Sequence, residues 1–248
     1  MMRLLIALLA VLLAVPASAE KLVSALSEDA VEITSNFTGS YITVFGAVTE
    51  EEVRGQEYEV AIVVAGPDLP LVVRKKDRVA GLWLNTQSRE FFDVPSFYVV
   101  HLSENLSVAA SQDLLTRYKL DFVNLGFSRE ASYAPEDEAF ARAVVDIKQR
   151  QELYAKRGDA VEFLAPNVFR TSFHLPSAIP VGTYHVSVYL FREEQLLAAQ
   201  VQSLVIEKSG FSDRIASFAD QQPLFYGLFT VVVAITTGWL AGLIFRRN

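Results

Sequence analysis

The chain has 248 residues and no Cys, and its two Met residues, Met1 and Met2, stand at the extreme N-terminus, so everything after them is free of sulfur. Disulfide scaffolding, thiol redox chemistry, covalent haem attachment, zinc-cysteine sites, Met-ligated copper and a lipid-modified cysteine anchor are thereby excluded. The formal charge is −7; with Arg3, Arg246 and Arg247 set apart at the two ends, 19 basic residues face 29 acidic ones, a net of −10 that argues against nucleic acid as a partner.

Arg3, the apolar run Leu4 to Val15 and the small residues Ala17-Ser18-Ala19 have the order of a secretory signal peptide over residues 1–19, with Glu20 opening the mature chain. Its apolar run is too short to cross a hydrocarbon core of about 30 Å. Residues 20–211 then read as one extracytoplasmic domain, large enough to bury a core without disulfides.

From Val31 to His101 apolar residues alternate with polar ones in short runs. Val31, Ile33 and Phe37 fit one face, as do Ile42, Val44 and Val48, and then Tyr58, Val60, Ile62 and Val64 against Glu57 and Glu59. Gly66-Pro67-Asp68-Leu69-Pro70 predicts a break in the sheet. After Asn105 the period becomes helical. Ser107 is placed to cap a short helix through Tyr118. A longer helix is predicted over 135–157, with Pro135, Glu136, Asp137 and Glu138 at its start and Lys156, Arg157 and Gly158 at its close. Phe140, Val144, Ile147 and Tyr154 form its apolar stripe.

Strands resume at Val161, Val168 to Leu175, Thr183 to Phe191 and Leu196 to Ile206, with a tight Pro180-Val181-Gly182-Thr183-Tyr184 turn leading into the third of them. That turn is similar to the approach to the late strands of immunoglobulin-like domains. The fold class expected is mainly β: an immunoglobulin-like β-sandwich with a helical insertion at about 107–158, plus one C-terminal transmembrane helix. Two smaller β-domains are the alternative. A juxtamembrane segment, 212–223, leads to Leu224–Phe245, 22 residues without a charge and so about 33 Å of helix. Arg246 and Arg247 in the tail 246–248 predict a cytoplasmic C-terminus, and Tyr226 and Trp239 suit head-group depth.

Four constellations are candidates for function. Gly238 and Gly242, extended by Ala234 and Thr230, make a ridge of small side chains on the membrane helix, where a second helix can approach closely; small residues are also common in such helices without pairing. The ridge suits self-association or docking on a multi-span membrane protein. Arg74, Lys75, Lys76 and Arg78 concentrate positive charge at a strand end or hairpin: a solvated edge that discourages aggregation, or a contact for an anion, a lipid head group or an acidic partner. His101, His174 and His185 are the only histidines, and their spacing matches no metal-ligand motif, so each is expected singly on a strand. Trp83, Phe91, Phe92, Phe97 and Tyr98 are expected in the core rather than lining a groove.

The chain lacks Gly-x-Ser-x-Gly, Ser-x-x-Lys and phosphate-cradling Gly-rich loops, so neither enzyme activity nor a cofactor is expected. Several segments carry a family resemblance: Phe45-Gly46-Ala47-Val48, Ala65-Gly66-Pro67, Arg74-Lys75-Lys76, Gly81-Leu82-Trp83-Leu84-Asn85, Val94-Pro95-Ser96-Phe97-Tyr98, Leu175-Pro176, the Pro180 to Tyr184 turn and Gly238-Trp239-Leu240-Ala241. Over nearly its full length the sequence resembles a family of transmembrane proteins described mainly from alphaproteobacteria and uncharacterised in function. The resemblance implies topology, a bacterial inner-membrane location with the N-terminal domain in the periplasm, and a link to a neighbouring sulfite-exporter-like permease. It supplies no catalytic residue.

The expected function is therefore that of a non-enzymatic accessory or partner-binding subunit of a membrane system, with a transporter as one partner class. The alternative is a membrane-anchored envelope hydrolase with a triad assembled around one of the histidines. A periplasmic sensor or solute-binding domain is a third reading, set against a tail too short to carry an output domain.

Overall fold

The computed structural model describes residues 22–49, 58–122, 125, 127–129, 137–209, 219–220 and 222–245. The signal-peptide reading, Glu57, Pro135, Glu136, residues 212–218 and Arg246 to Asn248 lie outside them. Two sheets share one buried cluster. The first has the order β1 (Leu22–Leu26), β3 (Gly39–Val48), β11 (Val168–Pro176), β10 (Glu162–Ala165). The second has the order β2 (Ala30–Ile33), β13 (Gln195–Lys208), β12 (Gly182–Arg192), β4 (Glu59–Ala65), β7 (Tyr98–Leu102), β9 (Tyr154–Arg157). β1, β3, β11 and β10 stand where strands A, B, E and D stand in an immunoglobulin-like sandwich, and β13, β12, β4 and β7 stand as G, F, C and C′.

Period-two alternation explains the inner faces. Ile42, Val44 and Val48 on β3 and Tyr184, Val186, Val188 and Leu190 on β12 are buried, while Tyr41, Phe45, Thr183 and His185 face out. The Tyr184 hydroxyl donates to the Pro180 carbonyl oxygen, a tyrosine corner that fixes the turn into strand F. Burial of that phenol raises its pKa to about 12.

β4 departs from simple alternation: Val60 through Val64 are all buried. Its second face is Ala61, Val63 and Ala65, and the glutamate at 59 only begins the strand. The cover on that side is helical. Tyr118 packs its ring 5.4 Å from Tyr189 and 5.1 Å from Phe191, and Phe122 lies 6.4 Å from Tyr98. A strand sandwiched on both faces reads as a continuous apolar run, as 60–65 does.

The inserted segment is built differently from the sequence expectation. Among the described residues it holds two short helices, α1 (Glu104–Ala109) and α2 (Gln112–Arg117), then the two-residue strand β8 (Ser128–Arg129), then α3 (Asp137–Arg150). Ser107 lies inside α1, and it is Ser111 whose hydroxyl accepts from the Leu114 N–H at 3.3 Å to cap α2. α3 stops at Arg150 rather than at residue 157. Glu152 takes a left-handed φ of 59°, and the bonds Glu152 N–H to Gln149 O and Leu153 N–H to Lys148 O complete a Schellman motif. Tyr154 therefore leaves the helical stripe and enters β9, which runs parallel to β7 and extends the six-stranded sheet.

α4 (Pro223–Phe245) is a single apolar helix of 23 residues, and a 20-residue stretch of it, Pro223–Gly242, has a mean hydropathy of 1.8 with no part buried against the rest of the chain. Thr230, Thr236 and Thr237 return their hydroxyls to carbonyls one turn back, so none presents an unsatisfied donor to lipid.

Candidate functional site

The Gly66-Pro67 break is only two residues long, and Asp68, Leu69 and Pro70 already belong to the next strand. Gly66 N–H bonds Phe97 O at 2.8 Å and Ser96 N–H bonds Pro67 O at 2.9 Å. The β4–β7 ladder thus leads on into a long ribbon of β5 (Asp68–Val79) and β6 (Leu82–Pro95), whose pairing shifts register between Leu69 and Leu71 and between Lys75 and Lys76. Its base is braced. Phe91 is fully buried with its ring 6.1 Å from Phe127, β8 pairs with Phe91 and Phe92, and the Arg89 guanidinium bonds Asp137 of α3 at 2.8 Å while lying over the Phe140 ring.

Beyond Arg89 the ribbon is exposed. It closes in a two-residue loop, Ala80-Gly81, with φ values of 50° and 87°, the left-handed pair that matches the twist of a tight hairpin. Val79 stands opposite Leu82, Arg78 opposite Trp83 and Asp77 opposite Leu84. Alternation along β5 gives Arg74, Lys76 and Arg78 one face and Lys75, Asp77 and Val79 the other. All four cations are exposed. The single carboxylate among them, Asp77, accepts from the Thr86 hydroxyl and stands 3.7 Å from Lys75. Exposed pairs of this kind stabilise by less than about 1 kcal/mol, and the ribbon end keeps a net positive charge.

Trp83 is 69% exposed and Leu82 66%. The core expectation for the aromatic group thus holds for Phe91, Phe97 and Tyr98 but not for Trp83, and Phe92 sits at the surface. The missed signal was the juxtaposition of Leu82-Trp83-Leu84 with the basic run in one hairpin. Apolar residues at a solvated strand end have no core to enter.

Strand direction places this end of the molecule. β4 and β13 are both antiparallel to β12, so they run the same way. The chain leaves the sandwich from β13, towards α4, at the end from which the ribbon projects; Ala65 is level with His185 and Ser203.

The three histidines are not brought to one site. His101, on β7, bonds Thr171 of the opposite sheet at 2.7 Å, and burial aided by the Arg157 charge lowers its pKa to about 4. His174 rests its ring 4.9 Å from Tyr41, and His185 is exposed on β12. Among the described residues no group of three His, Asp or Glu side chains is arranged to hold a metal ion. An open cleft of about 600 Å³, lined by Tyr58, Ser103, Glu104, Asp159, Glu162 and Phe163, lies at the sandwich end opposite the ribbon.

On α4, Ala234, Gly238 and Gly242 share one exposed face at i,i+4 spacing, and a Cβ added at Gly238 or Gly242 would meet nothing within 4 Å. The ridge is open to a neighbour.

Residues 21–247 match the family model described as "Putative transmembrane protein (Alph_Pro_TM)". No curated protein matches the chain.

Proposed function

The chain belongs to this transmembrane family, and on that premise we propose that it is a single-pass protein of the bacterial inner membrane, exported by its signal peptide, with the immunoglobulin-like domain in the periplasm and the C-terminus in the cytoplasm. It acts without catalysis, as an accessory or partner-binding subunit of a membrane system, with a multi-span transporter as the partner class. The observation that carries the reading is the open ridge of Ala234, Gly238 and Gly242 on a helix with no part of Pro223–Gly242 buried against the rest of the chain. Close backbone approach gives two helices packing contacts that lipid does not supply. An immunoglobulin-like sandwich on a membrane stalk is a common scaffold for binding, which supports the reading by analogy of fold.

Purification of the tagged protein from its own membranes in a mild detergent, with mass spectrometry of what accompanies it, is the direct test. The expected result is a multi-span protein in stoichiometric amount that is lost from the Gly238→Leu/Gly242→Leu variant. A lone monomer, or a companion indifferent to the double substitution, would overturn it. Separate His101→Ala, His174→Ala and His185→Ala changes distinguish the hydrolase alternative, in which one of them abolishes the cellular phenotype without lowering the protein's abundance.

A further inference from the structure

We propose that the distal β5–β6 ribbon is a second membrane contact: Val79, Leu82, Trp83 and Leu84 enter the interfacial layer of the bilayer that α4 spans, and Arg74, Lys75, Lys76 and Arg78 bind its anionic lipid head groups. The inference rests on the membrane helix alone and not on any protein partner.

Three observations converge on it. The ribbon end is apolar at its tip and cationic behind it. The turn and the last cross-strand pairs supply the exposed aliphatic and indole groups, and the cations follow from Arg78 back to Arg74. Successive strand residues rise about 3.3 Å, so the cations lie between roughly 3 and 17 Å behind Val79: Arg78 falls within a head-group layer of about 5–8 Å, and the others lie within a Debye length, about 8 Å, of its outer edge. Indole, amphipathic and broad, favours that same layer.

The charge is also out of keeping with the rest of the molecule. Residues 74–88 carry four cations and one carboxylate, in a chain whose formal charge is −7. An acidic domain near an anionic bilayer is repelled except where such a patch faces it, so the patch sets orientation as well as contact. Membrane lipid also accounts for the apolar tip, which a small soluble anion would leave in water.

Finally, the reach is right. The ribbon leaves the sandwich at the end from which the chain runs to α4. From Asp68 to Val79 it extends roughly 36 Å, and the 14 residues between Lys208 and Pro223 have a contour of at most about 50 Å. The tip meets the bilayer before the tether is drawn taut. The brace of Arg89 on Asp137 and of Phe91 on Phe127 keeps the ribbon base fixed to the domain, so contact at the tip holds the whole sandwich at a set angle.

Trp83 and Trp239 are the only tryptophans, so a full-length Trp239→Phe protein reports on the ribbon alone. It would be reconstituted into vesicles of phosphatidylcholine alone and of phosphatidylcholine with phosphatidylglycerol, with and without acyl chains brominated near the head group. The expected result is a blue-shifted Trp83 emission, quenched by the brominated lipid, stronger with phosphatidylglycerol and at least halved by 0.5 M salt. Reversing Arg74, Lys75, Lys76 and Arg78 to Glu should return the emission towards that of solvated indole. Because all four are exposed, the thermal unfolding of that variant should match the parent, which separates loss of contact from loss of fold. Trp83 emission that stays solvated and unquenched in both vesicle types would overturn the proposal and leave the ribbon to a protein partner. Quenching that is equal in both types and insensitive to charge reversal would overturn the head-group assignment.

Discussion

His101 and Thr171 join the two sheets through the core. The Thr171 hydroxyl gives its one proton to the Ala160 carbonyl oxygen at 2.7 Å, so in the 2.7 Å bond between His101 Nδ1 and Thr171 Oγ1 the histidine is the donor. Nδ1 therefore carries a proton, and burial of the ring keeps it neutral at pH 7. Burial, reinforced by Arg157 beside it, holds its pKa at about 4 against an ordinary 6.5. Between those two values the unfolded chain binds a proton that the folded one refuses, so stability falls as pH drops through the window and levels off below it. The loss is about 3 kcal/mol in all. Chemical denaturation at pH 7.5, 5.5 and 4 should show it. His101→Gln, which keeps a donor for Thr171, should flatten this part of the profile.

Gly46 is the space in which the Phe169 ring lies. A Cβ at position 46 would stand 2.1 Å from Phe169 Cζ, and Phe169 is fully buried. Gly46→Ala should therefore cost about 3 kcal/mol by forcing the ring or the strand aside. For a domain of this size that is a fall in Tm of about 6–12 °C. Adding Phe169→Leu should restore much of the loss, an interaction that a double-mutant cycle measures.

Tyr184→Phe removes the hydroxyl that bonds the Pro180 carbonyl and leaves the ring, 5.8 Å from Phe97, in place. The expected cost is about 1–2 kcal/mol. It should appear as faster amide exchange in the 179–184 turn before it appears in global unfolding.

Glu152 holds the left-handed position that ends α3, a conformation that side chains adopt at a cost of about 1–2 kcal/mol. Glu152→Gly should stabilise the protein by roughly 1 kcal/mol, read as an upward shift in Tm. No change, or a fall, would show that the Schellman motif is not what stops this helix.

The strand assignments show where the sequence was legible. Alternation at Ile42, Val44 and Val48 and at Tyr184, Val186 and Val188 placed β3 and β12, because each has one face in the core and one in water. The end of α3 is not legible in the sequence because the expected stop signal, Gly158, is not the residue in the left-handed conformation. A second such case is Lys119, which closes α2 at a φ of 54°. The candidate site was half legible: composition alone marked Arg74, Lys75, Lys76 and Arg78, whereas Trp83 looked like core. Only the pairing of β5 with β6 shows that the strands run past the end of the sandwich, where an apolar side chain has nothing to pack on. The membrane ridge was readable throughout, since i,i+4 spacing on one helix needs no tertiary information.

In the proposed function, Ala234, Gly238 and Gly242 form the face that would receive a multi-span partner. The chain contains no cysteine, so a single Ala234→Cys bearing a photo-activatable crosslinker, compared with Ile235→Cys, tests that face within intact membranes. A specific adduct with a multi-span protein from position 234, and little from the neighbouring position 235, is the predicted result. Adducts only between copies of the chain, or equal labelling from both positions, would contradict it.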